Sequence, residues 1–403
     1  MSELFTPPRY FKDVAFHRHT NRTIGWLELF YDLVYVATLI QIGNFLSDNL
    51  TLLGFGQFLV MMFVVWWSWG GETLYQNRYV ADDLWHRLLV FIQIGGVATM
   101  GVSVSRAFGD LYVQFTLGYV LVRIMTILMY VRTYFSHPES RAYARRYMVG
   151  FAGGIATWLA ALLLPAEFHW VAWLVAIVFE ALWWARPAAS ETEVADWGPD
   201  AHHMLERFGI FTIIVLGEAF VKVLDDAQGT ALGIEQILFG VTALVVLYTL
   251  WWLYFSDTAD RLFDMSSNLK LSSWSYGHLF LATSLVAFGV AAKKLFAETI
   301  NYSDTIVTDE YRLLLTAAVA IFLLALAMIN YGLDDKLTPH SQIKRVLVYL
   351  GVAVGVAGMG LVLTALTATQ FTAIIAVIMV LVVALNIYQS VTFAEPQLEH
   401  GAS

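Results

Sequence analysis

Residues 26–46 begin Trp26-Leu-Glu28-Leu-Phe30-Tyr31-Asp32-Leu-Val-Tyr35-Val36 and stay largely apolar to Leu46. At about 1.5 Å per residue such a run makes about 30 Å of helix, the thickness of a hydrocarbon core. Its first two turns nonetheless hold Glu28 and Asp32, one helical turn apart and therefore on one face. Two carboxylates so placed repel unless one is protonated or a cation lies between them, an arrangement suited to proton or cation handling. The plainer reading puts Glu28 at the membrane interface, complementing the helix dipole, and Asp32 in a pair with an arginine.

Eleven further apolar segments of about spanning length follow, at 55–74, 86–107, 111–131, 147–165, 168–185, 205–224, 233–256, 272–293, 312–331, 345–366 and 369–389. The 403 residues are 59% hydrophobic and 14% charged, with a mean hydropathy of +0.65. Soluble domains hold about 45–50% apolar and about 25% charged residues, so the apolar surplus here faces a bilayer. Disorder and nucleic-acid binding are excluded as main themes. With no cysteine there are no disulfides, no thiol nucleophile and no Cys-ligated zinc. The expected fold is an all-α polytopic membrane protein of about twelve transmembrane helices.

The polar stretch 186–204 divides the spans into two groups of six, 26–185 and 205–389, between a leader, 1–25, and a tail, 390–403. The leader carries Arg9, Lys12, Arg18 and Arg22 and lacks the apolar core of a secretory signal. Placing the leader and the even-numbered connections on one side gathers sixteen of the twenty-three Lys and Arg residues there. Five lie on the other side (Arg106, Lys222, Lys293, Lys294 and Arg312), with Arg123 and Arg207 inside spans. Basic residues resist translocation, so both termini are expected in the cytoplasm. The two groups share landmarks: Leu27-Glu28-Leu29-Phe30 with Leu205-Glu206-Arg207-Phe208, Trp66-Trp67 and Glu72 with Trp251-Trp252 and Asp257, and Gly101-Val102 with Gly289-Val290. An even number of helices per group makes the expected repeats parallel.

Ionisable side chains at membrane depth cost about 2.5–3.5 kcal/mol on insertion scales and face a bundle interior or a hydrated cavity. Besides Glu28 and Asp32, the seventh span holds Glu206, Arg207, Glu218 and Lys222. Arg207 and Glu218 are eleven residues apart, about 20° around the helix and about 16 Å along it, with Thr212 and Gly217 between them. Asp32 and Glu218 are the expected ion-binding carboxylates, Glu28 and Glu206 the cytoplasmic mouth, and Arg207, Arg123 and Lys222 the charge partners. A local Glu218–Lys222 pair is the alternative. Arg123 requires a carboxylate, with Asp32, Glu180 and Glu218 all eligible.

Glu72, Asp257, Glu180 and His278 are secondary site candidates; the plainer readings are that Glu180 snorkels to the interface, His278 makes an interhelical hydrogen bond, and Glu72 and Asp257 meet water near span ends. The many Trp and Tyr residues read mostly as interfacial anchors. No zinc-protease, phosphate-loop or nucleophile-elbow motif occurs, and the pair His202-His203 lacks spaced companions for a metal. No catalytic residue, metal or cofactor is expected.

The stretches Glu28-Leu-Phe-Tyr-Asp32-Leu-Val-Tyr-Val36 and Glu206-Arg207-Phe-Gly-Ile-Phe-Thr-Ile-Ile-Val-Leu-Gly217-Glu218 closely resemble the two hallmark segments of the bacterial low temperature requirement A (LtrA) family. That resemblance covers essentially the whole chain and implies a multi-pass bacterial inner-membrane protein linked to growth in the cold, without an agreed activity. A weaker likeness joins Leu27-Glu28-Leu29-Phe30-Tyr31-Asp32 to the opening L-E-x-F-S-D of endolysosomal potassium and proton leak channels. Tyr31 stands where those channels have Ser, and Gly209-Ile210 where they have Ser-Asp. The expected function is movement of a small ion or polar solute along a path lined by the first and seventh helices. A membrane enzyme acting on a lipid headgroup and a cold-adaptation sensor or scaffold are the alternatives. The expected partners are the lipid bilayer and that solute, with no nucleic acid and with homo-oligomerisation left open.

Overall fold

Each of the twelve apolar segments forms a helix in the computed structural model. It describes residues 15–16, 24–80, 82–165, 168–184, 200–227, 232–258, 261–264, 267–301, 306–334 and 339–393. The helices are α1 (Trp26–Asp48), α2 (Leu52–Arg78), α3 (Leu84–Ser103), α4 (Tyr112–Ser136), α5 (Arg141–Ala161), α6 (His169–Trp184), α7 (Ala201–Ala227), α8 (Ile234–Thr258), α9 (Asn268–Asn301), α10 (Asp309–Gly332), α11 (Pro339–Val362) and α12 (Ala368–Phe393). Among the described residues, nine of them are long and apolar enough to cross a bilayer, which makes this a multi-pass membrane protein. The other three are α5, α6 and α7. The first begins with three arginines in two turns, α6 has 16 residues and so spans about 24 Å, and α7 carries the charges named above.

Local chemistry sets the helix starts. The Thr51 side chain accepts from the Gly54 amide at 3.0 Å and caps α2. Asp83 accepts from the His86 amide at 3.0 Å, caps α3, and takes two bonds of 2.8 and 2.6 Å from Arg132 of α4. Apart from an isolated antiparallel bridge between Phe263 and Leu333, the strand pairing among the described residues is one two-residue antiparallel contact. It joins Ala15–Phe16, here β1, to Tyr79–Val80, here β2, so this part of the leader lies against the end of α2. The rest of the expected leader, most of the 186–204 connector and the end of the tail lie outside the described residues.

The chain divides into two units, residues 1–211 and 212–403, with the boundary inside α7. In the first unit α1 packs on α2 and α3, α4 packs on α2, α3 and α5, and α5 packs on α6. In the second, α9 packs along α10, α10 along α11, and α8 against α9, α10 and α12. Leu281–Ala292 of α9 are buried without a break, as expected of a helix that is apolar all round and central to its unit.

Helices α3 and α4 meet at glycines. A Cβ on Gly118 would lie 2.7 Å from the Gly96 carbonyl oxygen, and one on Gly96 would lie 2.8 Å from the Gly118 carbonyl oxygen. Gly118→Ala should therefore destabilise the purified protein by about 1–3 kcal/mol, despite the better helix propensity of Ala. Gly56→Ala, where nothing lies within 4 Å, should not. Thermal unfolding in detergent reads both.

Candidate functional site

Helix α1 is built with its polar side inward. Glu28, Tyr31, Asp32 and Tyr35 recur at helical spacing and are all buried, Glu28 at 2% exposure and Asp32 at 0%, while Phe30 and Leu33 are each 53% exposed. A spanning helix turns this way when its carboxylates have partners in the bundle and its apolar side chains meet lipid.

The partners come from α2, α3 and α7. Asp32 Oδ1 accepts from Trp69 Nε1 at 2.6 Å and from Arg207 Nη2 at 3.1 Å. Arg207 Nη1 donates to Gln76 Oε1 at 3.3 Å, and Gln76 Nε2 donates to Glu72 Oε1 at 2.5 Å and lies 3.2 Å from His86 Nε2. Gln93 Nε2 donates to Thr126 Oγ1 at 3.0 Å and to Glu72 Oε2 at 3.4 Å. At the start of α1, Glu28 Oε2 is 3.2 Å from His203 Nε2. The amide of Asn77 lies 3.3 Å from His203 Nδ1.

Three buried carboxylates thus share one buried guanidinium. Arg207 lies within electrostatic reach of Asp32, Glu28 and Glu72 together. Asp32 Oδ2 and Arg207 Nε have no hydrogen-bond partner among the described residues. A network short of positive charge and with an open carboxylate oxygen can take up a proton or a small cation. Beside it runs a short chain of hydroxyls, with Tyr31 and Tyr35 3.1 Å apart and Ser68 donating to Tyr35 at 3.0 Å.

Two other buried carboxylates are saturated instead. Glu180 of α6 pairs with Arg123 of α4 at 2.9 Å. It also accepts from Tyr119 on both oxygens at 2.7 Å, from Trp67 Nε1 at 2.8 Å and from Trp158 Nε1 at 3.0 Å. Gly71 and Gly154 make room for this pair, since a Cβ on either would collide with Arg123 or Glu180. In the second unit, Asp257 of α8 accepts four bonds: Arg345 at 2.6 Å and Asn386 at 2.8 Å on Oδ1, and Tyr349 at 2.6 Å and Asn330 at 2.7 Å on Oδ2.

These placements correct three expectations. Glu180 does not snorkel, because an arginine, a tyrosine and two tryptophans hold it inside. Glu72 and Asp257 do not meet water, because neighbouring helices cover both at 0% exposure. Trp67, Trp69, Trp158 and Tyr119 are not interfacial anchors but donors to buried carboxylates. Of the three carboxylates open to Arg123, the structure uses Glu180.

The remaining candidates are dispersed. Glu206 is exposed, Glu218 half-buried and Lys222 buried. His278 lies 3.1 Å from the Tyr254 hydroxyl and 2.8 Å from the Trp274 carbonyl. No group of three or more metal-binding side chains is arranged to hold an ion among the described residues. Sequence reasoning passed over Gln76, Gln93, Asn330 and Asn386. Amides inside otherwise apolar spans were the available signal.

The model of the bacterial low temperature requirement A protein, LtrA, matches residues 23–384. The chain belongs to the LtrA family. Both hallmark segments fall within the match, and the Asp32–Arg207 pair joins one segment to the other. The chain is also similar to a protein of Rhizobium meliloti (strain 1021) described as uncharacterized protein RA0937. The two are 26% identical over 278 residues, which span 64% of this chain and 66% of the relative.

Saturated and unsaturated carboxylates should respond differently to neutralisation. Glu180→Gln and Asp257→Asn leave Arg123 and Arg345 without their buried counter-charge and should each cost about 3–5 kcal/mol of stability. Asp32→Asn should cost less, because Glu28 and Glu72 still balance Arg207. Thermal unfolding of the three purified variants checks the order.

Proposed function

We propose that this LtrA-family protein moves protons or a small monovalent cation across the bacterial cytoplasmic membrane. Glu28, Asp32 and Glu72 are the binding carboxylates and Arg207 is their counter-charge. The observation that carries this reading is the charge imbalance of the buried cluster, three carboxylates to one guanidinium, with Asp32 Oδ2 unpartnered among the described residues. In a low-dielectric interior that excess must be neutralised, and a mobile cation or proton neutralises it reversibly. His203 lies 3.2 Å from Glu28 at the same end of α1. Glu218, farther along α7 and half-buried, extends the acidic stripe, and the exposed Glu206 marks the cytoplasmic mouth.

The orientation, with both termini cytoplasmic, rests on the sixteen-to-five distribution of basic residues. The two-repeat organisation is supported by helices of matching rank. In the first unit α2, α4, α5 and α6 supply Trp67, Arg123, Trp158 and Glu180 to one saturated cluster. In the second, α8, α10, α11 and α12 supply Asp257, Asn330, Arg345 and Asn386 to the other. Each half would then keep one closed ionic lock for stability, leaving the α1–α7 cluster to work.

Flux measured in proteoliposomes under imposed proton, sodium and potassium gradients tests the reading. Asp32→Asn and Glu72→Gln should each reduce the rate about tenfold or more, the kinetic equivalent of one charge-assisted interaction of about 1.5–3 kcal/mol. Glu206→Gln should have a small effect. Wild-type flux in both Asp32→Asn and Glu72→Gln would remove the cluster from the mechanism.

A further inference from the structure

Beyond the carboxylate cluster, α1 changes character. Thr38, Gln41, Asn44 and Asp48 follow one another at spacings of three and four residues and, with Ser105 beyond α3, line a groove of about 570 Å³ between α1 and α3. Gln41, Asn44 and Asp48 are exposed, whereas Thr38, at the inner end, is buried. There α1 and α3 touch: a Cβ on Gly101 would stand 3.0 Å from Thr38 Oγ1.

Gln41 is the sixteenth residue of a 23-residue helix of spanning length, about 10 Å from its C-terminal end. An exposed primary amide at that depth cannot face lipid tails without losing its hydrogen bonds. Other exposed positions of α1 carry apolar side chains, Phe30 and Leu33. The outer part of the groove is lined by the polar side chains Gln41, Asn44, Asp48 and Asn49. Its charged lining residue is an acid, Asp48, and its lining holds no base. Asp48 lies twenty residues from Glu28, about 30 Å along the helix, so the groove opens at the opposite end of α1 from the His203–Glu28 contact. Between the two ends stand Asp32, Tyr35 and Thr38, three residues apart in turn, with Tyr35 joined to Tyr31 and Ser68 through their hydroxyls.

We infer that the groove between α1 and α3 is a hydrated vestibule that admits cations from the membrane face opposite the N-terminus. It leads by way of Thr38 and the Tyr31–Tyr35–Ser68 hydroxyls to Asp32. This inference rests on the reading of the Asp32 cluster as the ion site and adds the second entrance that site requires. The tyrosine pair is the barrier between the entrance and the carboxylates.

The chain has no cysteine, so single-cysteine variants of the full protein need no background removed. In oriented membranes, Gln41→Cys and Asn44→Cys should react with charged, membrane-impermeant methanethiosulfonates added on the side opposite the N-terminus. Phe30→Cys and Leu33→Cys should not react. A clear excess of the cationic over the anionic reagent, about tenfold, is expected from the focused field of an acidic cleft, and Asp48→Asn should abolish it. Modified Gln41→Cys should lose flux. Labelling of Gln41→Cys no faster than Leu33→Cys would overturn the vestibule, as would spontaneous disulfide-linked dimers of Gln41→Cys, which would mark the face as an interface between copies. Unlabelled Gln41→Cys together with lost flux in Asp32→Asn would remove the vestibule and leave the carboxylate site standing. Labelled, flux-blocking Gln41→Cys with normal flux in Asp32→Asn would remove the carboxylate site instead.

Discussion

A carboxylate carried on a membrane-spanning helix must be paired, protonated or hydrated, and the packing around α1, α6 and α8 reflects how each acid meets that demand. Glu180 and Asp257 meet it by saturation. Every oxygen of either group faces an arginine, an aromatic N–H or O–H, or an amide drawn from three neighbouring helices. Such clusters fix which helices lie together, because separating any one of them exposes an uncompensated charge to a low dielectric. Glycines at 71 and 154 belong to the same arrangement, since any side chain there would occupy the space that Arg123 and Glu180 need.

The α1 cluster meets the demand differently. Asp32 gives one oxygen to Trp69 and Arg207, Glu72 is held by two glutamine amides, and Glu28 faces a histidine whose other nitrogen meets an asparagine. Amides solvate negative charge without cancelling it. One fixed guanidinium against three acids is the imbalance on which the proposed ion site rests. That contrast separates carboxylates whose every oxygen is partnered from those with an open oxygen or shared counter-charge, and burial alone does not, because all five are buried.

Most of the helical organisation was legible in the sequence, because apolar runs of about twenty residues have one stable form in a bilayer. The shared face of Glu28 and Asp32 was legible for the same local reason, as was the need of Arg123 for an acid. Which acid it takes was not, since that depends on the depths at which α4 and α6 pass each other, a tertiary fact. Glu72, Asp257 and Glu180 lie near helix ends in sequence, where solvent is the natural expectation, yet neighbouring helices overhang them. The tryptophans misled because an indole suits an interface and a buried carboxylate equally well, offering one N–H on a large apolar body. The groove at Gln41 carries no motif and became visible only when α1 and α3 were placed side by side.

Infrared difference spectroscopy of the protein in lipid nanodiscs addresses the charge imbalance most directly. Changing pH, or exchanging sodium and potassium for a large inert cation, should perturb a carboxyl band from a buried group. The band should shift in deuterated water and be altered by Asp32→Asn and Glu72→Gln but not by Asp257→Asn. A spectrum in which every buried carboxyl is indifferent to pH, cation and deuterium would mean that the α1 cluster is as closed as the other two, and would contradict its role as an ion site.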